Sequence, residues 1–179
     1  MPYESTAPSG AATLPFVILG ILSDTHGAAP ITRRAVAMLV DAGAEFLVHC
    51  GDVGDEFVLD ALAGVPSAFV FGNNDWDHTG LSRYAEAIGV RCLGLGGVLE
   101  LGGKRVAVTH GDDLMRLAQY RRPDARVDYL LSGHSHVRHD QRVGATRWIN
   151  PGALYRAAVK TVATLDLDAD LLTSLVVPA

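Results

Sequence analysis

Residues 16–27 read FVILGILSDTHG. The first seven are aliphatic, aromatic or glycine, the pattern of a β-strand buried on both faces rather than wetted on one. The run stops at Ser23-Asp24-Thr25-His26-Gly27, where a carboxylate and an imidazole two positions apart precede a glycine. A buried strand with polar side chains at its carboxyl end suits an open α/β sheet, in which sites form outside those ends. What the other strands carry at their ends therefore decides what the fold is for.

The plan repeats outward from this stretch. Pro30 opens ITRRAVAMLVDAG, with Ile31, Ala35, Met38, Leu39 and Ala42 at helical spacing and Gly43 at the end, so a helix follows the strand. EFLVHCGD (45–52) predicts a second strand, DEFVLDALAG (55–64) a helix, PSAFVFGNND (66–75) a third strand and LSRYAEAIG (81–89) a helix. Strands alternating with helices at this pace imply βαβ units. The second half differs. VLELGGKRVAVTH (98–110) and QRVGATRWINPG (141–152) predict hairpins around Gly102-Gly103 and Gly144, with DYLLSGH (128–134) as a short buried strand between them. KTVATLDLDADLLTSLVV (160–177) predicts a final strand pair turning at Asp168 to Asp170. Mixed sheets are expected. No internal repeat or heptad interrupts the chain, so residues 15–179 are expected to form one domain behind a loose tail, residues 1–14, rich in Ser, Thr, Pro, Ala and Gly.

Composition narrows the classes. With 49% hydrophobic and 20% charged residues, the 179-residue chain has the make-up of a globular protein. Its longest apolar stretch, Leu14 to Leu22, is far short of the about 20 residues a spanning helix needs, and the first residues lack the basic start and apolar middle of a secretory signal. No membrane association is expected, and a cytoplasmic location is. Cys50 and Cys92 sit singly in apolar segments and are expected to be reduced and buried. A net charge of -5 argues against an extended nucleic-acid surface, which needs clustered Lys and Arg. It does not argue against a small phosphate ligand, because bound cations are charges that a side-chain count omits. A homo-oligomer is left open.

Five strand ends carry potential ligands: Asp24 with His26, Asp52, Asn73, His110, and His134 with His136. One such residue alone is more simply a turn or helix cap. The ordered set is harder to obtain by chance, and Gly51, Gly72, Gly111 and Gly133 stand beside its members, as expected where a backbone turns sharply or passes close to another atom. In extended backbone His134 and His136 face the same way, while His139 points to the other side. His78 lies near a helix start, and His49 is read as packed behind the ligands. Two carboxylates, one amide oxygen and four imidazoles suit Mn, Fe, Zn, Ni or Co better than Ca or Mg, and are too many for one tetrahedral zinc. With one carboxylate shared they suffice for two ions about 3.5 to 4 Å apart, the arrangement that clamps an in-line displacement at phosphorus.

D-x-H, G-D, G-N-x-D, H and G-H-x-H in this order resemble the calcineurin-like metallophosphoesterases, and the short length resembles their small bacterial and archaeal phosphodiesterases. The resemblance runs from about Phe16 to Arg156. It implies an α/β sandwich of two mixed β-sheets flanked by α-helices. It also implies two divalent metal ions, manganese foremost, with nickel, iron, zinc or cobalt as alternatives. Asp24, His26, Asp52 and His136 would hold one ion, and Asp52, Asn73, His110 and His134 the other. The implied reaction is hydrolysis of a small phosphodiester by in-line attack of a hydroxide bridging the ions. Where many relatives have G-N-H-D this chain has Gly72-Asn73-Asn74-Asp75. An amide can hydrogen-bond a phosphoryl oxygen but cannot supply a proton. Asp52, Asn74 and Asp75 are therefore the expected catalytic group, with Asp75 orienting its neighbours, and Asn74 and Arg156 the expected substrate contacts. Two alternatives stand beside this reading. One is a catalytically weak metal-binding scaffold for protein partners, as in the retromer subunit of the same fold. The other is a phosphomonoesterase acting on nucleotides or sugar phosphates. A serine nucleophile has no support, since no G-x-S-x-G occurs.

Overall fold

The computed structural model describes residues 18–178; the loose tail expected at residues 1–14 lies outside them. In chain order the elements are β1 (Ile18–Leu22), α1 (Ala29–Asp41), β2 (Phe46–His49), α2 (Glu56–Leu62), β3 (Ser67–Phe69), α3 (His78–Ala87), β4 (Arg91–Cys92), β5 (Gly96–Leu101), β6 (Lys104–Thr109), α4 (Leu114–Tyr120), β7 (Tyr129–Leu131), β8 (His139–Val143), β9 (Thr146–Asn150), β10 (Thr161–Asp166) and β11 (Leu171–Val176). They form a six-stranded sheet, β11-β10-β1-β2-β3-β4, and a five-stranded sheet, β5-β6-β7-β9-β8. Both are mixed. In the first, β1, β2, β3 and β4 run parallel, while β10 is antiparallel to both its neighbours, β1 and β11. In the second, β6, β7 and β9 are parallel, edged by the antiparallel β5 and β8.

Strand alternation sorts the apolar side chains into layers. Leu19 and Ile21 of β1 join Val48, Val70, Val106, Val108, Tyr129, Leu131, Ile149 and Leu165 in the core between the sheets. Leu22 belongs to the opposite layer, with Leu39 of α1, Leu47, Val58 and Leu59 of α2, Phe69 and Leu81 of α3. Gly20 lets α1 press onto β1: a Cβ there would lie 2.7 Å from Leu47 Cδ2 and 3.2 Å from Leu39 Cβ. On the outer face of the second sheet, Ala107, Leu130 and Val127 pack under Leu117 of α4. The layers are thus helices, sheet, sheet, helix. Among the described residues no helix is long and apolar enough to cross a membrane.

Two elements lie beyond what the sequence predicts. The two-residue β4 carries no periodicity and exists through pairing with β3, Ala68 opposite Arg91 and Phe69 opposite Cys92. The seven-residue α4 buries only Leu117 and is fixed at its start by Asp113, whose carboxylate accepts from the Met115 and Arg116 amides at 2.9 and 3.1 Å. The expectation for the cysteines is half right. Cys50 is buried, but Cys92 is only partly so, because its strand sits at a sheet edge, and neither is disulfide-bonded. Leu131 is fully buried between the sheets. Leu131→Ala should lower unfolding free energy by about 2 to 5 kcal/mol, read from the urea midpoint at unchanged slope; a loss below about 0.5 kcal/mol would contradict the two-sheet packing.

Candidate metal centre

The parallel strands of both sheets deliver their carboxyl ends to one place. Hydrogen bonds between loops join them: the Asp24 amide donates to Gly51 O at 3.1 Å, the Gly133 amide to His110 O at 2.8 Å, and the His134 amide to Asp24 Oδ2 at 3.1 Å. Two groups of ligand atoms result, each within 4.8 Å: Asp24, His26 and His136, and Asp24, Asp52 and His110. Asp52 Oδ2 lies 3.3 Å from His26 Nε2 and 3.4 Å from His110 Nε2, so it faces one imidazole from each of the two expected ligand sets. His136 Nε2 is 3.2 Å from Asp24 Oδ1. The exposed His134 ring stands edge-on to His110, 5.1 Å between centroids. Asn73 is exposed between Gly72 and Asn74, both of which touch Asp52.

Five of the seven expected ligands have left-handed backbone: Asp24 (φ 55°), His26 (45°), Asp52 (55°), His134 (66°) and His136 (57°). Such conformations cost on the order of 1 kcal/mol or more each and persist where surrounding structure imposes them. They also correct the reason given for His134 and His136. His136 reaches Asp24 and His134 stands against His110 from left-handed backbone, not from an extended one. Gly72 serves another need, close approach, since a Cβ there would lie 2.2 Å from Asp52 Oδ1 and 2.5 Å from the Asp52 amide.

The chemistry of the site fits cations. Asp24 Oδ1, His26 Nε2 and His110 Nε2 are buried atoms with no hydrogen-bond partner among the described residues. Left so they would each be costly. Asp24 is fully buried and Asp52 nearly so, and no Lys or Arg of the described residues pairs with either. Burial raises the Asp24 carboxyl above its usual range, and the charge of Asp52 adds to this. Burial acts on Asp52 in the same sense but is outweighed by His110 and Asn74, which hold it well below that range. Burial also pushes on His110, downward, yet the Asp52 carboxylate prevails and its net shift is upward. Two buried carboxylates against imidazoles whose free nitrogens face them form a cation-binding arrangement. His110 Nδ1 sits 2.9 Å from Cys50 O. That bond requires the proton on Nδ1 and leaves the Nε2 lone pair aimed at the site, the orientation a ligand needs.

The expected catalytic residues divide. Asn74 donates its main-chain amide to Asp52 Oδ1 at 2.9 Å and its side-chain amide to Asp52 Oδ2 at 2.8 Å. It steadies the carboxylate that both ligand groups face. Asp75 is buried, and its oxygens accept from Val53, Gly54 and Gly72 at 3.1, 2.8 and 2.8 Å. Within the expected catalytic group Asp75 is the residue to orient its neighbours, and these three bonds tie two ligand loops together. Arg156 is exposed on left-handed backbone (φ 48°) over the Tyr155 ring, which in turn lies 4.9 Å from the His26 ring. The three remaining histidines stay outside the centre. His78 stacks on Phe71, His139 packs on Trp148, and His49 is fully buried. Gly51 N donates to His49 Nδ1 at 3.2 Å, and His49 Nε2 meets Thr25 Oγ1 at 2.9 Å, with burial pushing its pKa down to about 3. Thr25, Tyr155 and Asn150 are supporting residues that the sequence reading passed over; their partners are distant in sequence, and nothing local marks them.

A model of the calcineurin-like phosphoesterase superfamily domain matches residues 17–170. A phosphodiesterase of Methanocaldococcus jannaschii is 26% identical over 155 residues, covering 84% of this chain and 93% of its own. A probable metallophosphoesterase of the same organism is 26% identical over 173 residues, covering 89% and 81%. Among solved structures, a novel archaeal phosphodiesterase superposes with a TM-score of 0.81 at 26% identity, covering 89% of this chain and 99% of its own. Vps29 of Chaetomium thermophilum shares the fold, with a TM-score of 0.64 at 17% identity over 89% of this chain and 95% of its own.

Two measurements test this geometry. Asp75→Ala should cost about 1 to 3 kcal/mol of stability, because the buried Val53 and Gly72 amides and the more exposed Gly54 amide lose their acceptor; an unchanged melting temperature would contradict the bracing role. For His49 the folded pKa of about 3 lies below the ordinary 6.5. Its contribution is therefore complete above about pH 6.5 and is lost as pH falls towards 3, by at most about 1.4 kcal/mol per pH unit. The stability of His49→Gln should fall less steeply over that window than that of the parent protein, and parallel slopes would contradict a buried neutral imidazole.

Proposed function

The chain belongs to the calcineurin-like phosphoesterase superfamily, and from that premise we propose that this phosphoric-ester hydrolase is a phosphodiesterase dependent on two divalent cations, manganese foremost. The observation that carries the proposal is the buried Asp24 and Asp52 pair beside three unpartnered ligand atoms. Asp24, His26, Asp52 and His136 would hold one ion, and Asp52, Asn73, His110 and His134 the other. Bound there, the ions would supply a water of lowered pKa and positive charge against the phosphoryl oxygens.

The protein's own side chains define the rest. Asp52 would be the carboxylate that these two proposed sets share, and Asn74 orients it while remaining able to donate to a phosphoryl oxygen. No imidazole occupies position 74 to protonate a departing alcohol, so the enzyme is suited to esters whose leaving groups depart without help. A diester fits this better than a monoester with a basic alcohol, and the similarity to archaeal phosphodiesterases supports the same choice. A small diester in the cytoplasm is the proposed setting, since a chain of charge -5 does not favour a polymeric nucleic acid. All seven expected ligand positions keep metal-competent side chains, which favours an enzyme over a scaffold that merely shares the fold.

Asp52→Asn should reduce turnover of bis(nitrophenyl) phosphate to background and lower the metal content found by elemental analysis; unaltered turnover would refute the shared-carboxylate role. Activity on that diester should exceed activity on nitrophenyl phosphate, and the reverse ranking would favour a phosphomonoesterase. Because imidazole ligands bind as neutral rings, the rate should decline as pH falls through about 6 to 6.5, whereas a profile flat to about pH 5 would contradict histidine ligation.

A further inference from the structure

We infer that Asn150, at the end of β9, is a positioning residue that holds the His134 to His136 loop in its metal-binding shape; the inference rests on the metal-dependent reading above. Asn150 is 4% exposed and uses its whole amide. Its Nδ2 donates to Gly133 O at 2.7 Å and to Ser135 Oγ at 3.1 Å, and its Oδ1 accepts from the Gly152 amide at 2.9 Å. Gly133 and Ser135 flank His134, and Ser135 separates the two histidines. Both histidines are left-handed, so the loop is held in a conformation that its own residues do not favour. Inside the loop one short bond, the Ser135 amide to Gly133 O at 2.8 Å, opposes that tendency. From outside, the Gly133 and His134 amides are held by His110 O and Asp24 Oδ2; the side-chain restraint from β9 is Asn150, with Trp148 two positions earlier donating from Nε1 to Ser132 Oγ at 2.8 Å.

The chain after Asn150 binds the other ligand loop. The Leu154 and Tyr155 amides donate to Ser23 O at 3.3 Å and Asp24 O at 2.9 Å. Residues 150–155 contribute no ligand, yet they join the loop of Asp24 and His26 to that of His134 and His136. Only an amide suits position 150. It must donate twice and accept once. A carboxylate would set an acceptor oxygen against the Gly133 carbonyl, and an aliphatic side chain would leave the Gly152 amide without its acceptor and withdraw the bonds to Gly133 O and Ser135 Oγ. Asn150 itself touches none of the proposed ligands, so its effect on the ions passes through the loop.

The test compares manganese dissociation constants, measured by isothermal titration calorimetry on folded protein well below its melting temperature. Asn150→Ala and Asn150→Asp should bind manganese about 10 to 100-fold more weakly than the parent chain, as for other residues that orient ligands from behind. Leu165→Ala, which opens the same inter-sheet core on β10 at the end away from the ligand loops, should bind within about twofold of the parent and so separates positioning from general loss of stability. Ser135→Ala removes one of the bonds at an exposed position that folding tolerates, and should weaken binding in the same direction. Asn150 variants that bind as tightly as the parent, or no more weakly than Leu165→Ala, would overturn the inference alone. A parent chain that binds no manganese would overturn the metal-dependent reading and this inference with it.

Discussion

The structure depends on two carboxylates, Asp24 and Asp52, placed in the interior beside imidazoles and with no Lys or Arg of the described residues to neutralise them. An uncompensated buried charge is among the most costly things a fold can contain. Everything around the pair makes sense as preparation for a cation. His110 has its proton committed to a carbonyl, Asn74 clamps Asp52 from two sides, and three ligand atoms have no partner of their own.

The rest of the molecule serves as the frame for that pair. Two sheets packed face to face bring the carboxyl ends of β1, β2, β3, β6, β7 and β9 together, so loops spread over more than a hundred residues of sequence meet in one site. The frame has to be stiff, because five ligand residues sit in left-handed backbone. Asp75, Asn150 and the His49 to Thr25 pair supply that stiffness through hydrogen bonds to main-chain groups of neighbouring loops. None of them needs to touch a substrate. They convert the stability of the sandwich into precision at the ligands.

Much of this was legible in the sequence, for reasons that particular segments make clear. β1, β2, β3 and the hairpins at Gly102-Gly103 and Gly144 follow from hydrophobic period and turn chemistry, which are local. β4 and α4 were not legible: one is two residues long and exists through its neighbour, and the other buries a single leucine. The ligands could be picked out because carboxylate, amide and imidazole types recur at strand ends. Their bracing could not, since Asn150 and Gly133 are 17 residues apart and Thr25 and His49 are 24 apart. The case of His134 and His136 separates outcome from reason. His136 meets Asp24 and His134 meets His110, through left-handed turns that residue type alone does not announce.

The most direct test of the central claim is anomalous diffraction at the manganese edge from crystals of the protein grown with that metal. The account predicts two peaks flanking Asp52, one among Asp24, His26 and His136 and the other beside His110, His134 and Asn73. No peak near the two aspartates, with manganese in excess, would contradict it.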